Sequence, residues 1–462
     1  MGKISSLTTG LVSNSNDQHS SKSLLSMLKK RVLDYLQGDV LAKIMSVAAL
    51  LAIGAMANKE DIGIYSMMIF VAEMMAVFIL FGADSSIIKF YREHAASEVI
   101  NNYVLQNMLN VCIAAMALYA LGVVFHEGIY RFILEHYFTI LFLAISLSIS
   151  SITRAHMVSH HESVKVKWFS ILSGALNLSS ILLFASVFGL TVFSMVASRI
   201  VSLLIFVIFF VYLLVTLFDK KTISLELTKK MYRFSVPLLI STIVGTLSVY
   251  MSRIVLAEYV SVYELGIFSF FIMIMASASV LLHSFNQAWF PHLFDLHKSA
   301  GEEAVLAEIN KKLSSVLSLG FYYVVLSIIV YQISSYVSLQ LNGYYGYRYI
   351  LFVLMDSLVY GVFYIIINPV LYIKSKTKYV AYASFIILVA NIGVTIAFVE
   401  VLGVFGAAIS AVAIALISFY LYWVFSQKCL ANKLIDRKLG GIIIILTASL
   451  LIKYLFIYSS IA

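Results

Sequence analysis

The chain is poor in almost everything that water would solvate. Only 12% of its 462 residues are charged, 61% are hydrophobic, and mean hydropathy is +0.96. Soluble globular domains carry about 25% charged residues, so a water-soluble enzyme or binding domain is excluded. Proline is scarce: Pro237, Pro291 and Pro369 all fall in the second half, near the ends of apolar runs, where a missing backbone donor costs least. There are two cysteines, Cys112 in an apolar run and Cys429 beside a basic segment, which exclude a disulfide framework. The first 22 residues lack the basic start, apolar run and cleavage site of a signal peptide. Being polar and rich in Ser and Asn, they are expected to form a disordered cytoplasmic N-terminus.

What the chain has instead is long apolar runs. They lie near 40–57, 62–83, 103–125, 137–153, 168–188, 192–218, 234–257, 265–291, 313–337, 348–373, 379–401, 404–426 and 439–459. At 1.5 Å per residue, about 20 residues cross a hydrocarbon core of about 30 Å, so these runs read as thirteen membrane spans. The Lys and Arg residues alternate between loops: 25 of the 32 fall on one side, and only Lys59, Arg131, Arg253 and Arg348 on the other. By the positive-inside rule the crowded side is cytoplasmic, and so is the N-terminus. The net charge of +9 is therefore a membrane-topology signal and does not point to nucleic acid. Before span 1, Leu24, Leu25, Met27, Leu28, Val32, Leu33 and Leu36 form an apolar stripe against Lys29, Lys30, Arg31 and Asp34. That segment is expected to lie on the inner membrane surface.

Two stretches begin alike: Asp61-Ile62-Gly63-Ile64-Tyr65-Ser66 opens span 2, and Glu264-Leu265-Gly266-Ile267-Phe268-Ser269 opens span 8. Further on, Asn177 and Gly189 correspond to Asn391 and Gly403. The copies run in the same order, which indicates a parallel six-helix duplication of the kind transporters use. The expected fold is an all-α polytopic membrane protein, two six-helix lobes related by a pseudo-two-fold axis plus one extra C-terminal helix. Its parts are an N-lobe at 23–218, an inter-lobe cytoplasmic loop at 219–233 that serves as hinge, a C-lobe at 234–426, and a basic loop with the extra span at 427–462. No loop is large enough for a catalytic domain, and no cofactor is expected.

Phe81-Gly82-Ala83-Asp84-Ser85-Ser86-Ile87-Ile88-Lys89-Phe90-Tyr91 after span 2, Phe234-Ser235-Val236-Pro237 opening span 7, the duplicated Gly-Ile-Tyr/Phe-Ser starts and Gly403-Val404-Phe405-Gly406-Ala407-Ala408 resemble bacterial polysaccharide exporters. The chain is most similar to O-antigen flippases of the Wzx type, in the superfamily shared with multidrug extruders and lipid II flippases. Relatives usually have twelve or fourteen spans, so thirteen is a departure. The resemblance implies a multi-pass protein of the bacterial inner membrane that serves lipopolysaccharide assembly. It would move undecaprenyl-diphosphate-linked oligosaccharide to the periplasmic leaflet, beside other polysaccharide-assembly membrane proteins and membrane lipid. It implies a central cavity, often cationic, between spans 1, 2, 7 and 8.

Sheltering a diphosphate and sugar from hydrocarbon calls for basic and hydrogen-bonding side chains. The candidates in those spans are Lys43, Arg253, and the stripe His283, Asn286 and Gln287, whose i, i+3, i+4 spacing puts them on one helix face. Each has a plainer reading. Lys43 follows Asp39 by four residues and would pair with it while snorkelling; Arg253 would reach the outer headgroups; the span 8 stripe would bond between helices. Glu73 has no such escape, since it sits about eleven residues from both ends of span 2. It must pair, protonate or face water, and its counterpart in the second half is Ala276, so it is expected either to take a proton-coupling or substrate role or to be a structural pairing or hydrogen-bonding residue. Arg199 and Asp356 lie at similar depth in opposite lobes, in spans that the resemblance makes peripheral, which argues against an ion pair between them. Lys453 is expected to face a neighbouring helix or an oligomer partner. His156, His160 and His161 read as a hydrated inner loop and not a metal site. Two other classes compete with the flippase: a cation-coupled small-molecule exporter, for which the acid nearest span 1, Asp39, sits at the span's edge, and a polysaccharide polymerase, which would need a large outer loop.

Overall fold

A computed structural model describes residues 37–91, 94–124, 135–160, 162–219, 222–334, 344–374, 376–430 and 437–459. The N-terminal 22 residues, the amphipathic segment before span 1, most of the two longer outer loops, His161 and the side chains of His283 and Gln287 lie outside the described residues. Among the described residues every element is a helix. Hydrocarbon offers backbone groups no hydrogen bonds, so each segment has to satisfy its own.

Span 1 is Gln37–Met56, span 2 Lys59–Leu80, span 3 Ala96–Val124, span 4 Tyr137–Ser159, span 5 Ser163–Phe188, span 6 Val192–Leu217 and span 7 Leu225–Tyr259. Spans 8 and 9 share the helical stretch Val262–Ser334, span 10 is Arg348–Ile367 extended by Pro369–Ile373, spans 11 and 12 share Thr377–Cys429, and span 13 is Arg437–Ser459. Kept straight, the 73 residues of the spans 8–9 stretch would run about 110 Å, more than three membrane cores. Gly301, at φ 79°, breaks it, and Gly403, at φ 56°, breaks the spans 11–12 stretch. Residues 398 and 406 would be about 12 Å apart in a straight helix. Here a Cβ on Gly406 would overlap the Phe398 carbonyl, so the chain doubles back at Gly403.

Large apolar side chains that a soluble protein would hide point outward, Phe138 82% exposed and Val215 80%. They face lipid. In the N-lobe, span 2 packs on span 4, span 4 on span 6 and span 5 on span 6; in the C-lobe, spans 7 and 10 pack on the spans 11–12 stretch. The lobes meet where span 2 packs against span 7 and against the spans 8–9 stretch.

On the side carrying most basic residues, hereafter the basic side, span 3 clamps the inter-lobe connection. Asn101 donates to the carbonyls of Leu217 and Asp219, while Asn102 donates to Thr222 O and accepts from the Ser224 amide at 2.7 Å. Span 2 ends where Phe81 and Gly82 take left-handed conformations, φ 50° and 69°. The carbonyls exposed by that turn are capped from two directions: Asn110 donates to Ile79 O at 3.1 Å and Ser235 to Gly82 O at 3.4 Å. Tyr232 in turn donates to Asn110 Oδ1, and Lys89 lies 4.2 Å over the Phe234 ring. The Phe-Gly-Ala-Asp and Phe-Ser-Val-Pro segments thus meet, tying the start of span 7 to the N-lobe.

Span 13 is pinned to the C-lobe by charge. Lys453 and Asp356, both with fully buried side chains, form an ion pair at 2.8 Å. Lys453 also donates to Phe352 O, and Tyr323 donates to Asp356 Oδ1 at 2.7 Å. The neighbour of Lys453 is therefore span 10 of its own chain, and Asp356 has no part in a pair with Arg199. Removing one partner of a buried pair strands a charge, at a cost of about 3–5 kcal/mol, whereas replacing both by apolar residues is close to neutral. Lys453→Met should lower unfolding stability in detergent, followed by denaturant titration, by about 3 kcal/mol, and Lys453→Met with Asp356→Leu should recover most of it. Equal midpoints for Lys453→Met and the parent would show that the pair does not hold span 13.

Candidate functional site

Between the lobes lies a polar cavity of about 260 Å³. Span 1 contributes Lys43 and Ser46, span 2 Tyr65, Ser66 and Glu73, span 5 Asn177, span 6 Arg199, span 7 Tyr250 and Arg253, and span 8 Ala276 and Ser277. Three of the sequence candidates, Lys43, Glu73 and Arg253, thus share one space.

The cavity is organised around Tyr250. Its hydroxyl donates to Glu73 Oε2 at 2.6 Å, its ring packs on Phe70 at 4.9 Å, and the Arg253 guanidinium lies 4.8 Å from its centroid. The i, i+3 spacing puts Tyr250 and Arg253 on one face of span 7, and a cation over an aromatic face is attracted by the ring quadrupole. Arg253 is only 6% exposed, and its Nε has no hydrogen-bond partner. It does not reach outer headgroups: it turns inward and lines the cavity together with Glu73.

Lys43 is freed for the cavity because Asp39 is taken. Arg154 donates to both Asp39 carboxylate oxygens, at 2.7 and 2.9 Å, so the i, i+4 pair with Lys43 does not form. Arg199 is not peripheral either; it lines the same cavity as Lys43. Lys43, Arg199 and Arg253 against Glu73 leave the lining two positive charges in excess. Charges at such depth each cost several kcal/mol unless paired or hydrated.

The side opposite the basic side is shut by the repeat itself. Ser66 and Ser269 share a hydrogen bond at 2.8 Å, and a Cβ on Gly63 would come within 2.6 Å of Val262 O. On Gly266 it would overlap the Lys59 carbonyl. The helices approach this closely because both copies of the motif place glycine there. The offset of 203 residues that relates Ser66 to Ser269 also relates Glu73 to Ala276, and both of these line the cavity.

Asn286 lies nine residues beyond Ser277, about 14 Å along the helix, and is not part of this lining. Its amide oxygen is buried without a partner. His156 is no loop residue: it sits in span 4, 6% exposed, with its Nδ1 hydrogen-bonded to the Tyr91 hydroxyl. Tyr250, Arg199, Asn177 and Ser46 were not among the expected site residues. Arg199, an in-span arginine, and Tyr250, one turn before Arg253, were the available signals.

A family model described as polysaccharide biosynthesis protein matches residues 28–297. Among solved structures, a multidrug-resistance MATE transporter of the MOP superfamily in an inward-facing conformation superposes with a TM-score of 0.66, at 14% identity, covering 89% of this chain and 98% of that one. An outward-facing MATE structure gives 0.59 at 14% identity, covering 90% and 96%. A MOP-superfamily transporter from Pyrococcus furiosus, described as having a binding pocket of reversed polarity, gives 0.57 at 13% identity with the same coverage. No curated protein matches the chain.

The closed side gives a direct test. With Cys112 and Cys429 replaced by serine, Ser66→Cys with Ser269→Cys should form a disulfide on mild oxidation, stop transport, and release it on reduction. A cross-linked protein that still transports would show that this contact does not open during the cycle.

Proposed function

Because this chain belongs to the polysaccharide biosynthesis protein family and has the fold of MOP-superfamily transporters, we propose that it flips undecaprenyl-diphosphate-linked oligosaccharide, an O-antigen or similar repeat unit. Movement is from the cytoplasmic to the periplasmic leaflet of a bacterial inner membrane, with the N-terminus cytoplasmic. The observation that carries this reading is Arg253, a guanidinium nearly sealed from solvent at one side of a cavity whose charge is out of balance. The lining's excess of two positive charges matches the two negative charges of a diphosphate diester, and Arg with Lys suits phosphate oxygens. The loaded cavity would cross the membrane close to neutral. The empty one would return carrying its positive charge toward a negative cytoplasm, favoured by about 2.3 kcal/mol per charge per 100 mV.

Glu73 sets the other half of the cycle. Ionised, it competes with the diphosphate for Arg253 and so permits release; neutralised, it leaves the cations to hold the anion more firmly. By linkage, proton binding at Glu73 and anion binding reinforce one another, so a proton would travel with the cargo; this is the coupling role proposed for Glu73. The roles of His283, Asn286 and Gln287 belong to the basic-side approach to the cavity, where they would meet the sugar. The alternative, a cation-coupled multidrug exporter, draws support from the MATE neighbours. It is disfavoured because Asp39 is bound by Arg154 and the cavity is net basic.

In proteoliposomes with lipid-linked oligosaccharide, Arg253→Ala should abolish most translocation. Lys43→Ala should weaken it, and Lys43→Arg should retain more because the charge stays. Glu73→Gln should bind the anionic head about tenfold more tightly, a through-space effect of about 1–2 kcal/mol, yet export slowly. Glu73→Asp should keep partial activity. pH gradients and membrane potentials should be imposed separately. Full gradient-stimulated transport by Glu73→Gln would reduce Glu73 to a structural hydrogen-bond partner of Tyr250.

A further inference from the structure

Among the described residues, three larger grooves open on the lipid-facing surface. One of about 640 Å³ is framed by Phe70, Met74 and Phe78 of span 2, Ala114 and Ala117 of span 3, and Leu247 of span 7. Its one amide, Asn110, is consumed, donating to Ile79 O and accepting from Tyr232. The others, about 610 Å³ between spans 8, 9 and 10 and about 670 Å³ between spans 12 and 13, are confined to C-lobe helices.

The first groove alone of these three backs directly on the polar cavity. Span 2 turns Ile69 and Glu73 to the cavity and their sequence neighbours Phe70 and Met74 to the groove. Span 7 turns Tyr250 to the cavity and Leu247, one turn earlier, to the groove. What separates the two spaces there is the Phe70–Tyr250 ring contact at 4.9 Å. Away from the groove, toward the other end of the seam, Gly54 of span 1 packs onto the ring of Phe270 of span 8, which is fully buried.

We infer that the groove between spans 2, 3 and 7 holds the apolar tail of the amphiphile whose anionic head occupies the cavity; this rests on the function proposed above. The head must be sheltered from hydrocarbon, while the tail must stay in it, so a molecule held at both ends has to leave the cavity between helices. The exit lies where a cationic site and a lipid-facing trough are divided by one aromatic pair. The groove runs from residue 70 to residue 81 on span 2, the half nearer the basic side, so the tail enters from that leaflet. Met74 and Met75, unbranched and adaptable, suit a long flexible chain, and the two alanines of span 3 leave its volume open.

The test is photolabelling in proteoliposomes with a polyprenyl diphosphate carrying a diazirine in its tail, followed by peptide mapping. Label should concentrate on spans 2 and 3 around Met74, Phe78 and Ala117, and should fall at least fivefold in Arg253→Ala, which loosens the head. A phospholipid with the same group in its acyl chain should label without regard to Arg253. Ala117→Trp, at an exposed position, should displace the tail label and stop export while binding of inorganic pyrophosphate, measured by calorimetry, is unchanged. Label in either C-lobe groove, or groove label that ignores Arg253→Ala, would overturn the proposal. Failure of the functional reading shows up separately, as wild-type protein that does not bind pyrophosphate.

Discussion

Everything in this molecule that is not lipid-facing scaffold is arranged around a charge that hydrocarbon penalises. Arg253 is buried, stacked on Tyr250 and without a salt bridge of its own, while Tyr250 spends its hydroxyl on Glu73. Holding a guanidinium there costs several kcal/mol and is sustained only if water or an anion reaches it. That requires a cavity, the cavity requires two lobes that do not fuse along their seam, and the proposed alternating access would require one end of the seam to close tightly and reversibly. The glycine and serine pairs at the repeat starts provide such an end: close backbone approach and one hydrogen bond, with no buried charge to break when it opens.

Symmetry and its violation divide the labour. Where the two copies keep the same residues, Gly63 with Gly266 and Ser66 with Ser269, they build the seal. Where they differ, Glu73 against Ala276, the cavity lining gains a carboxylate on one side only. The buried ion pair of Asp356 with Lys453 lies away from the cavity and ties the thirteenth span to span 10 of the C-lobe. The Asn101–Asn102 clamp and the Ser235–Gly82 contact keep the start of span 7 with the N-lobe.

The membrane helices and the duplication were legible because hydrophobic length and repeated glycines are local properties of the chain. Lys43, Glu73 and Arg253 stood out as charges within spans, and the family resemblance pointed to spans 1, 2, 7 and 8 as the cavity wall; the structure puts all three in one lining. The rest depended on competition between distant partners. Asp39 looked like the partner of Lys43 at i+4, but Arg154 on span 4 offers a two-pronged fork, which releases Lys43. Arg199 seemed peripheral because span order does not reveal which face of a helix meets the seam. Asp356 found Lys453, 97 residues away, and Tyr250 carried no charge to mark it. His156 looked solvated in a basic segment, yet Tyr91 draws it into the packing of span 4.

The central claim is that the cavity recognises negative charge on a lipid-borne head. The most direct measurement compares translocation, in proteoliposomes under a fixed inside-negative potential, of one oligosaccharide carried on a polyprenyl diphosphate and the same oligosaccharide carried on the uncharged polyprenyl glycoside. The account predicts that the diphosphate-linked form crosses and that the neutral form does not exceed protein-free vesicles. Equal translocation of both would contradict it, and would mean that the buried cations serve the fold and not the cargo.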